Sequence, residues 1–265
     1  MDAQAAQLLA TVHELWPQLA TYGHRNVWVV KPAALSRGRG IFCENRLDFI
    51  LQTIVAGSSQ ETWVAQKYVE DTLLINDTKF DIRQWVVVTS WNPLVAYIYR
   101  DSYLRFSSVP FNLDNIHSKE SSDTHLCNNS IQKSATIRPT DEWAPECMWS
   151  SNQYRAHLEE QGQGTAWAER IFPAMCQVTR SVLLAAQPQM HARKNSFELF
   201  GLDFMFDAQH SAWLLEVNAS PDLSHSTAVT ADLVPRALED LAKLVLDRRD
   251  NRKADIGNFE LIIKE

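Results

Sequence analysis

Asp203, Glu216 and Asn218 hold the densest chemistry in this chain. They lie in Phe197-Glu-Leu-Phe-Gly-Leu-Asp-Phe-Met-Phe-Asp207 and Ala212-Trp-Leu-Leu-Glu-Val-Asn218, two strand-like runs joined by Ala208 to Ser211. A four-residue loop folds the runs into an antiparallel hairpin. That register sets Asp207 against Ala212 and Asp203 directly opposite Glu216, so the two carboxylates share a face. Asn218, two residues beyond Glu216, falls on the same face. Phe204, Phe206, Trp213 and Leu215 are left for the other face and for a core. Carboxylates held this close repel unless a cation lies between them. With an amide oxygen beside them they form a hard oxygen set that suits Mg²⁺. An ordinary hairpin with a polar outer face would read the same way.

A second stripe runs through Lys79, Asp81 and Arg83, which alternate with Phe80 and Ile82. Alternation puts the three charges on one face of a strand. The stripe is either a solvated face or the lining of a cleft. The strand continues into Trp85-Val-Val-Val88, apolar on both faces, which points to the cleft. Such a row of charges suits a polyphosphate and its leaving group. Ser36-Arg-Gly-Arg-Gly40 is a basic loop in which Gly38 and Gly40 let backbone N–H groups approach a phosphate, while Arg37 and Arg39 add donors. It lacks the Gly-Lys-Ser/Thr of a Walker A loop, and an ordinary turn would look alike. Lys31 ends the preceding strand and can add a point charge. Gln66, Lys67, Tyr68 and Val69 close the next strand, where main-chain groups can read an adenine edge. Arg105, in an exposed-looking strand, is either a fork for a carboxylate or a surface arginine. Cys127 has no evident general base and reads as a buried thiol.

The elements that position these residues follow from periodicity. Residues 4–20 read as an amphipathic helix, 27–30 as a short strand broken at Lys31-Pro32, 62–69 and 79–90 as strands, and 95–99 as the return of the last. Trp167, Ile171, Met175, Val178 and Val182 mark a long helix, bent at Pro173. Pro235 starts a final helix with Leu238, Leu241 and Val245 on one face. Mostly antiparallel strands flanked by helices make an α+β chain. Its 265 residues, 45% hydrophobic and 22% charged, are those of a globular protein. The net charge of −7 gives no global basic field for nucleic acid. The clustered basic residues are Arg248, Arg249, Arg252 and Lys253, interleaved with Asp247 and Asp250, and no strong docking surface is legible. No apolar run suits a membrane span, and the acidic N-terminus is no secretory signal. Four well-separated cysteines fit a reducing compartment without structural zinc.

Taken in order, Lys31-Pro32, Ser36-Arg-Gly-Arg-Gly40, Gln66-Lys-Tyr-Val69, Thr78-Lys-Phe-Asp-Ile-Arg83, Arg105-Phe-Ser107, Asn128-Asn-Ser-Ile-Gln132 and the Asp203, Glu216, Asn218 set resemble the tubulin-tyrosine-ligase-like family. Thr89-Ser-Trp-Asn-Pro93, His125-Leu-Cys-Asn-Asn129, Arg193-Lys-Asn-Ser-Phe197 and Asp255-Ile-Gly-Asn-Phe259 are similar to its tubulin monoglycylase branch. The resemblance implies an ATP-grasp-like fold with a nucleotide cleft between two lobes. It implies a central lobe over residues 1–70 and a C-terminal lobe with the metal site over 71–265, the family's N-terminal domain being absent. It implies an ATP- and Mg²⁺-dependent ligase that attaches glycine to glutamate side chains of acidic tubulin tails, on microtubules of the cytoplasm and of a ciliary or flagellar axoneme. A glutamate or tyrosine ligase, or an incomplete nucleotide- or microtubule-binding module, are the alternatives. The resemblance places Lys31, Ser36, Arg37, Gly38, Arg39 and Gly40 on the phosphates, and Gln66, Lys67, Tyr68 and Val69 around the adenine. Lys79, Asp81 and Arg83 fall by the ribose and phosphates, Arg105 and Asn128 near the γ-phosphate, and Asp203, Glu216 and Asn218 on Mg²⁺. Lys79, Arg83 and Arg105 are the catalytic set.

Overall fold

The computed structural model describes residues 3–16, 23–33, 35, 38–57, 62–118 and 121–265. The chain forms two compact units, Met1–Lys79 with Ser107–Arg138, and Phe80–Phe106 with Pro139–Glu265. Each unit thus takes two stretches of chain, where the sequence reading drew one boundary after residue 70.

The first unit opens with α1 (Ala3–Leu15). The helix forms as its periodicity predicts, yet Leu8 and Leu15 are exposed. Residues 17–20 of the expected helix lie outside the described ones. There follow β1 (Trp28–Pro32), β2 (Phe42–Glu44), α2 (Leu47–Ala56), β3 (Trp63–Lys67) and β4 (Leu74–Ile75). The first three strands make an antiparallel sheet in the order β2-β1-β3. β1 does not break at Lys31-Pro32 as expected: Lys31 pairs with Val64 and Pro32 with Trp63. β2 reaches only as far as Val30, so Pro32 has no bond to give on that side and its missing N–H costs nothing. Buried Glu70 accepts from the backbone N–H of Arg25 at 2.9 Å and of Val27 at 2.8 Å, and from Lys67 Nζ at 2.8 Å. These bonds pin the start of β1 to the end of β3. β5 (Thr78–Trp91) begins in this unit, and the short helices α3 (Ser121–His125) and α4 (Asn129–Gln132) complete it. Its core gathers Val27, Cys43, Tyr68 and Ile116.

In the second unit β5 runs on beside β6 (Leu94–Tyr99), β7 (Tyr103–Phe106), β8 (Met148–Ser150), β9 (Glu198–Phe206), β10 (Ala212–Asn218) and β11 (Phe259–Lys264). The sheet order is β10-β9-β5-β6-β11, with β7 between β5 and β8. Every pairing is antiparallel. The helices are α5 (Ser151–Glu160), α6 (Phe172–Ala186), α7 (Ala228–Ala242) and α8 (Arg248–Asp250). This is the expected α+β architecture. A π-helical turn, Trp167–Ile171, precedes α6, where Pro173 has no N–H for the helical ladder. The buried stripe runs from Ile171 in that turn through Met175, Thr179 and Leu183 of α6, one turn apart, with Val178 and Val182 only partly covered.

α7 corrects the expected start at Pro235. It begins at Ala228, because Thr227 and Thr230 form a capping box, each side chain bonding the other's backbone N–H at 3.2 and 3.0 Å. Pro235 sits inside the helix on its exposed side, and Leu238 is exposed with it. Leu233, Val234, Ala237 and Leu241 pack against Trp85, Val87, Tyr97 and Tyr99 of the sheet. Among the described residues no helix is long and apolar enough to cross a membrane.

Candidate active site

The second unit brings four charged side chains together by register alone. Asp81 on β5 lies directly opposite Arg105 on β7, and Arg83 directly opposite Asp203 on β9. Opposed and alternate residues share a face, so all four converge on one side of the sheet. Arg105 grips Asp81 as a fork, with Nε donating to Oδ1 at 2.6 Å and Nη2 to Oδ2 at 2.8 Å. Its Nη2 also lies 3.0 Å from Asp203 Oδ2. Arg83 donates from Nε to Asp203 Oδ1, and from Nη2 to Oδ2 at 3.2 Å. The four are only 3 to 7% exposed. The stripe on β5 is therefore not a solvated face. Arg105 is not a surface arginine either, since β8 covers the outer side of β7.

Burial at this depth opposes every charge, and the arrangement repays it by alternating signs. Burial works against ionised Asp203, but Arg105 and Arg83 outweigh it and hold its pKa at about 2. Burial pushes Asp81 up, and the charge of Asp203 adds to that push against Arg105. Asp203 is thus the firm anion of the network. Each guanidinium offers more donors than these bonds use, with Nη1 left over for a further anion.

The hairpin reaches its expected end by another route. Ala212 pairs with Phe206 rather than Asp207, and Trp213 with Met205. Asp207 is drawn into the turn, where its carboxylate accepts from Gln209 N at 3.0 Å, Ser211 N at 2.8 Å and Trp213 Nε1 at 3.0 Å. Trp213 accordingly shares the face of Met205, not that of Phe204. A bulge between Leu214 and Glu216 then restores the register, and Glu216 does face Asp203. Asn218 is on the same face, with Nδ2 3.2 Å from Glu216 Oε1 and 3.5 Å from Asp203 Oδ2. The cations beside Asp203 are guanidinium groups. Among the described residues no group of three or more His, Cys, Asp or Glu side chains is placed to hold a metal. Two carboxylates and one amide nevertheless converge. Turning the Asn218 amide over exchanges its N–H donors for its oxygen, and the three oxygens then form a donor set that fits Mg²⁺.

Gly201 is the position that sequence reasoning missed here. A Cβ on it would come within 2.9 Å of Pro221 Cβ and 3.1 Å of both Cδ and Nη1 of Arg83. A side chain here would crowd both Pro221 and Arg83, so glycine leaves room for the Arg83 side chain. Gly201→Ala is expected to lower stability by about 1–3 kcal/mol through overpacking. It should also displace Arg83, so a urea melt and an Mg·ATP titration must both respond; an unchanged titration would remove Gly201 from the positioning of Arg83.

The first unit gathers the remaining candidates. Lys31 and Gln66 share a sheet face, since Lys31 pairs with Val64 and Gln66 with Val29. Gly38 and Gly40 both have positive φ, +75° and +71°. A Cβ on Gly38 would lie 2.4 Å from Ile131 Cδ1 and 3.2 Å from Asn128 Oδ1, so the glycine loop and Asn128 are neighbours. Arg39 is exposed, and Val69 is partly buried. Ser36 and Arg37 lie outside the described residues. Lys67 bonds Glu70 and also the carbonyl of Val27, at 3.0 Å. Lys79 is buried, with Nζ donating to Tyr68 Oη at 2.9 Å and to the carbonyl of His125 at 2.6 Å, and lying 4.3 Å from the Tyr68 ring centre. Tyr68 in turn shares a 2.9 Å hydrogen bond with His125 Nδ1. His125 received no role from the sequence; its place two residues before Cys127 was the available signal. Cys127 is buried, with Sγ donating to the carbonyl of Lys79 at 3.8 Å.

The tubulin-tyrosine ligase family profile matches residues 3–253. The chain belongs to that family. It is 45% identical over 271 residues to protein monoglycylase TTLL8 of Mus musculus, covering 99% of this chain and 32% of that protein. It is 45% identical over 265 residues to tubulin monoglycylase TTLL3 of Danio rerio, covering 97% and 34%. With tubulin glycylase 3A of Drosophila melanogaster it shares 45% over 252 residues, covering 94% and 25%. The chain thus spans about a third or less of the length of these relatives. The α+β fold with antiparallel sheets is that of an ATP-grasp-like family member, and the family's ligases depend on ATP.

Proposed function

We propose that this member of the tubulin-tyrosine ligase family is an ATP- and Mg²⁺-dependent ligase that attaches glycine to glutamate side chains of acidic tubulin tails. The observation that carries the reading is the buried Asp81–Arg105–Asp203–Arg83 network with Glu216 and Asn218 at its rim, in a chain 45% identical to monoglycylases. Its partners are then tubulin and microtubules, and its place of action the cytoskeleton, including the axoneme of a cilium or flagellum.

Each group has a role its chemistry can perform. Gly38 and Gly40 present backbone N–H groups to phosphates, and Lys31 and Arg39 supply charge. Gln66, Lys67 and Val69 frame the adenine, with Tyr68 as the buried support beneath rather than a contact of its own. Lys79, fixed by Tyr68 and the His125 carbonyl, holds positive charge by the phosphates without rotamer freedom. Asp203, Glu216 and Asn218 would hold Mg²⁺, which when bound neutralises phosphate charge. In the reaction a tail carboxylate oxygen attacks the γ-phosphorus of ATP, and ADP departs. The glycine amine then attacks the acyl carbon, inorganic phosphate leaves with the bonding pair, and the amine loses a proton. Nη1 of Arg83 and of Arg105 are the donors that orient the carboxylate and spread the developing charge.

Mass spectrometry of tubulin incubated with the chain, ATP, Mg²⁺ and each amino acid in turn tests this. Single glycine additions on tail glutamates are the expected result; addition of glutamate or tyrosine instead would overturn the choice of amino acid. Glu216→Gln should weaken Mg·ATP binding by about tenfold or more, read by calorimetry with and without Mg²⁺. Equal binding would remove Glu216 from the metal set.

A further inference from the structure

Three of the clustered basic residues near the C-terminus are joined in space by a fourth from outside the cluster. Arg248, Arg249, Arg252 and Lys264 line one groove of about 570 Å³ in the second unit. Lys264 arrives on β11, away in sequence from the other three. Among the described residues the lining includes no carboxylate. Arg249 meets Asp250 at 3.1 Å, but both are more than 60% exposed, so that pair neutralises little. The groove also has an apolar part. Phe197, Leu246 and Leu261 line it and are large side chains left exposed. Arg248 lies 5.8 Å from the ring centre of Tyr97, which fixes one cation at the floor. In a chain of net charge −7 this concentration of cations is a local exception.

We propose that the groove is a docking site for a glutamate-rich peptide segment that also carries an apolar side chain. Charge complementarity selects an acidic occupant. Exposed Phe197, Leu246 and Leu261 within a concave space select one that inserts a side chain. Cations at Arg248, Arg249, Arg252 and Lys264 beside apolar Phe197, Leu246 and Leu261 suit a peptide, which carries both kinds of side chain where a headgroup or a nucleotide does not. The site is separate from the Asp203 network: Arg83 and Thr89, which lines the groove, are about 20 Å apart along β5. The proposal does not rest on the ligase reading, because it concerns equilibrium binding without nucleotide.

Fluorescence anisotropy with a labelled peptide of consecutive glutamates and one phenylalanine, in the absence of ATP, tests it. Arg248→Glu with Arg252→Glu should weaken binding by about tenfold or more. Phe197→Ser should weaken it less, and replacing the peptide's glutamates by glutamine should abolish it. Binding should fall steeply with salt. Should the double variant melt early, Lys264→Gln, at an exposed strand end, provides the same test with a smaller loss. Equal affinity of the variants and the parent chain overturns the proposal. So does tight binding of phosphatidylserine vesicles or single-stranded RNA that these substitutions abolish while the peptide does not bind.

Discussion

Asp203→Ala should destabilise the second unit by about 3–5 kcal/mol, since it leaves two buried guanidinium groups facing each other without their shared anion. Asp203 accepts from both Arg83 and Arg105, and is the one carboxylate of the network held near pKa 2. Asp81→Asn should cost less. Burial and the charge of Asp203 already push Asp81 toward its protonated form, so an amide there resembles a state the site tolerates. Urea unfolding of the two variants at neutral pH measures the order. If Asp81→Asn is the more damaging, Asp81 and not Asp203 anchors the arginines. A second readout separates structure from chemistry. In Asp203→Ala with Arg83→Met the unpaired charge is gone and much of the stability should return, as apolar replacements of buried pairs often allow. Ligation should stay at least about a hundredfold down, because the donors that hold developing charge are still missing. Recovery of both together would make the network purely structural.

The pairing of Asp203 with Glu216 was legible in the sequence, but the turn that produces it was not. Counting back from an assumed four-residue loop placed Asp207 in the ladder. Its carboxylate instead takes two turn N–H groups and the Trp213 indole, and the bulge at Leu215 absorbs the shift. A bulge leaves no composition signature in Ala-Trp-Leu-Leu-Glu, so the two errors cancelled at Glu216 and not at Trp213. Likewise the alternation of Lys79, Asp81 and Arg83 gave their common face. Their burial depended on β7, β8 and β9, brought in from elsewhere in the chain. Arg105 illustrates this best: Tyr103-Leu-Arg-Phe106 looks half-exposed until Met148–Ser150 pairs with it. Pro235 misled for a local reason. Helix-starting proline is a sound rule, but the Thr227–Thr230 box is an equally local signal and it lies upstream. The basic groove needed Lys264, which no local cluster contains.

His125 should set the response of the first unit to acid. It is 1% exposed, with burial and the nearby Lys79 lowering its pKa to about 3. Lys79 can only donate, so Tyr68 Oη accepts from it and donates its own O–H to Nδ1, which leaves the neutral ring's proton on Nε2. A second proton would put an imidazolium beside an ammonium in the core. The unfolded chain takes that proton near pH 6.5 and the folded chain only near pH 3. Between those values the unfolded state binds more protons, so stability is complete above pH 6.5 and falls as pH falls through the window. The slope is about 1.4 kcal/mol per pH unit, so lowering the pH from 6.5 to 5 should cost about 2 kcal/mol. The shifted carboxylates of the first unit do not obscure this range: Glu44, held near pKa 2, and Glu70, also lowered by its hydrogen bonds, lose their contribution only as pH falls below the ordinary carboxylate value. His210 shifts in the same direction but lies in the turn after Asp207, in the second unit, so His210→Asn is the control. Hydrogen exchange at pH 7 and pH 5 resolves the two units. His125→Gln should be less stable at pH 7, having lost a matched partner for Tyr68, yet should flatten the acid slope in the amides of β1 and β3. If that slope survives the substitution, the buried imidazole is not its source.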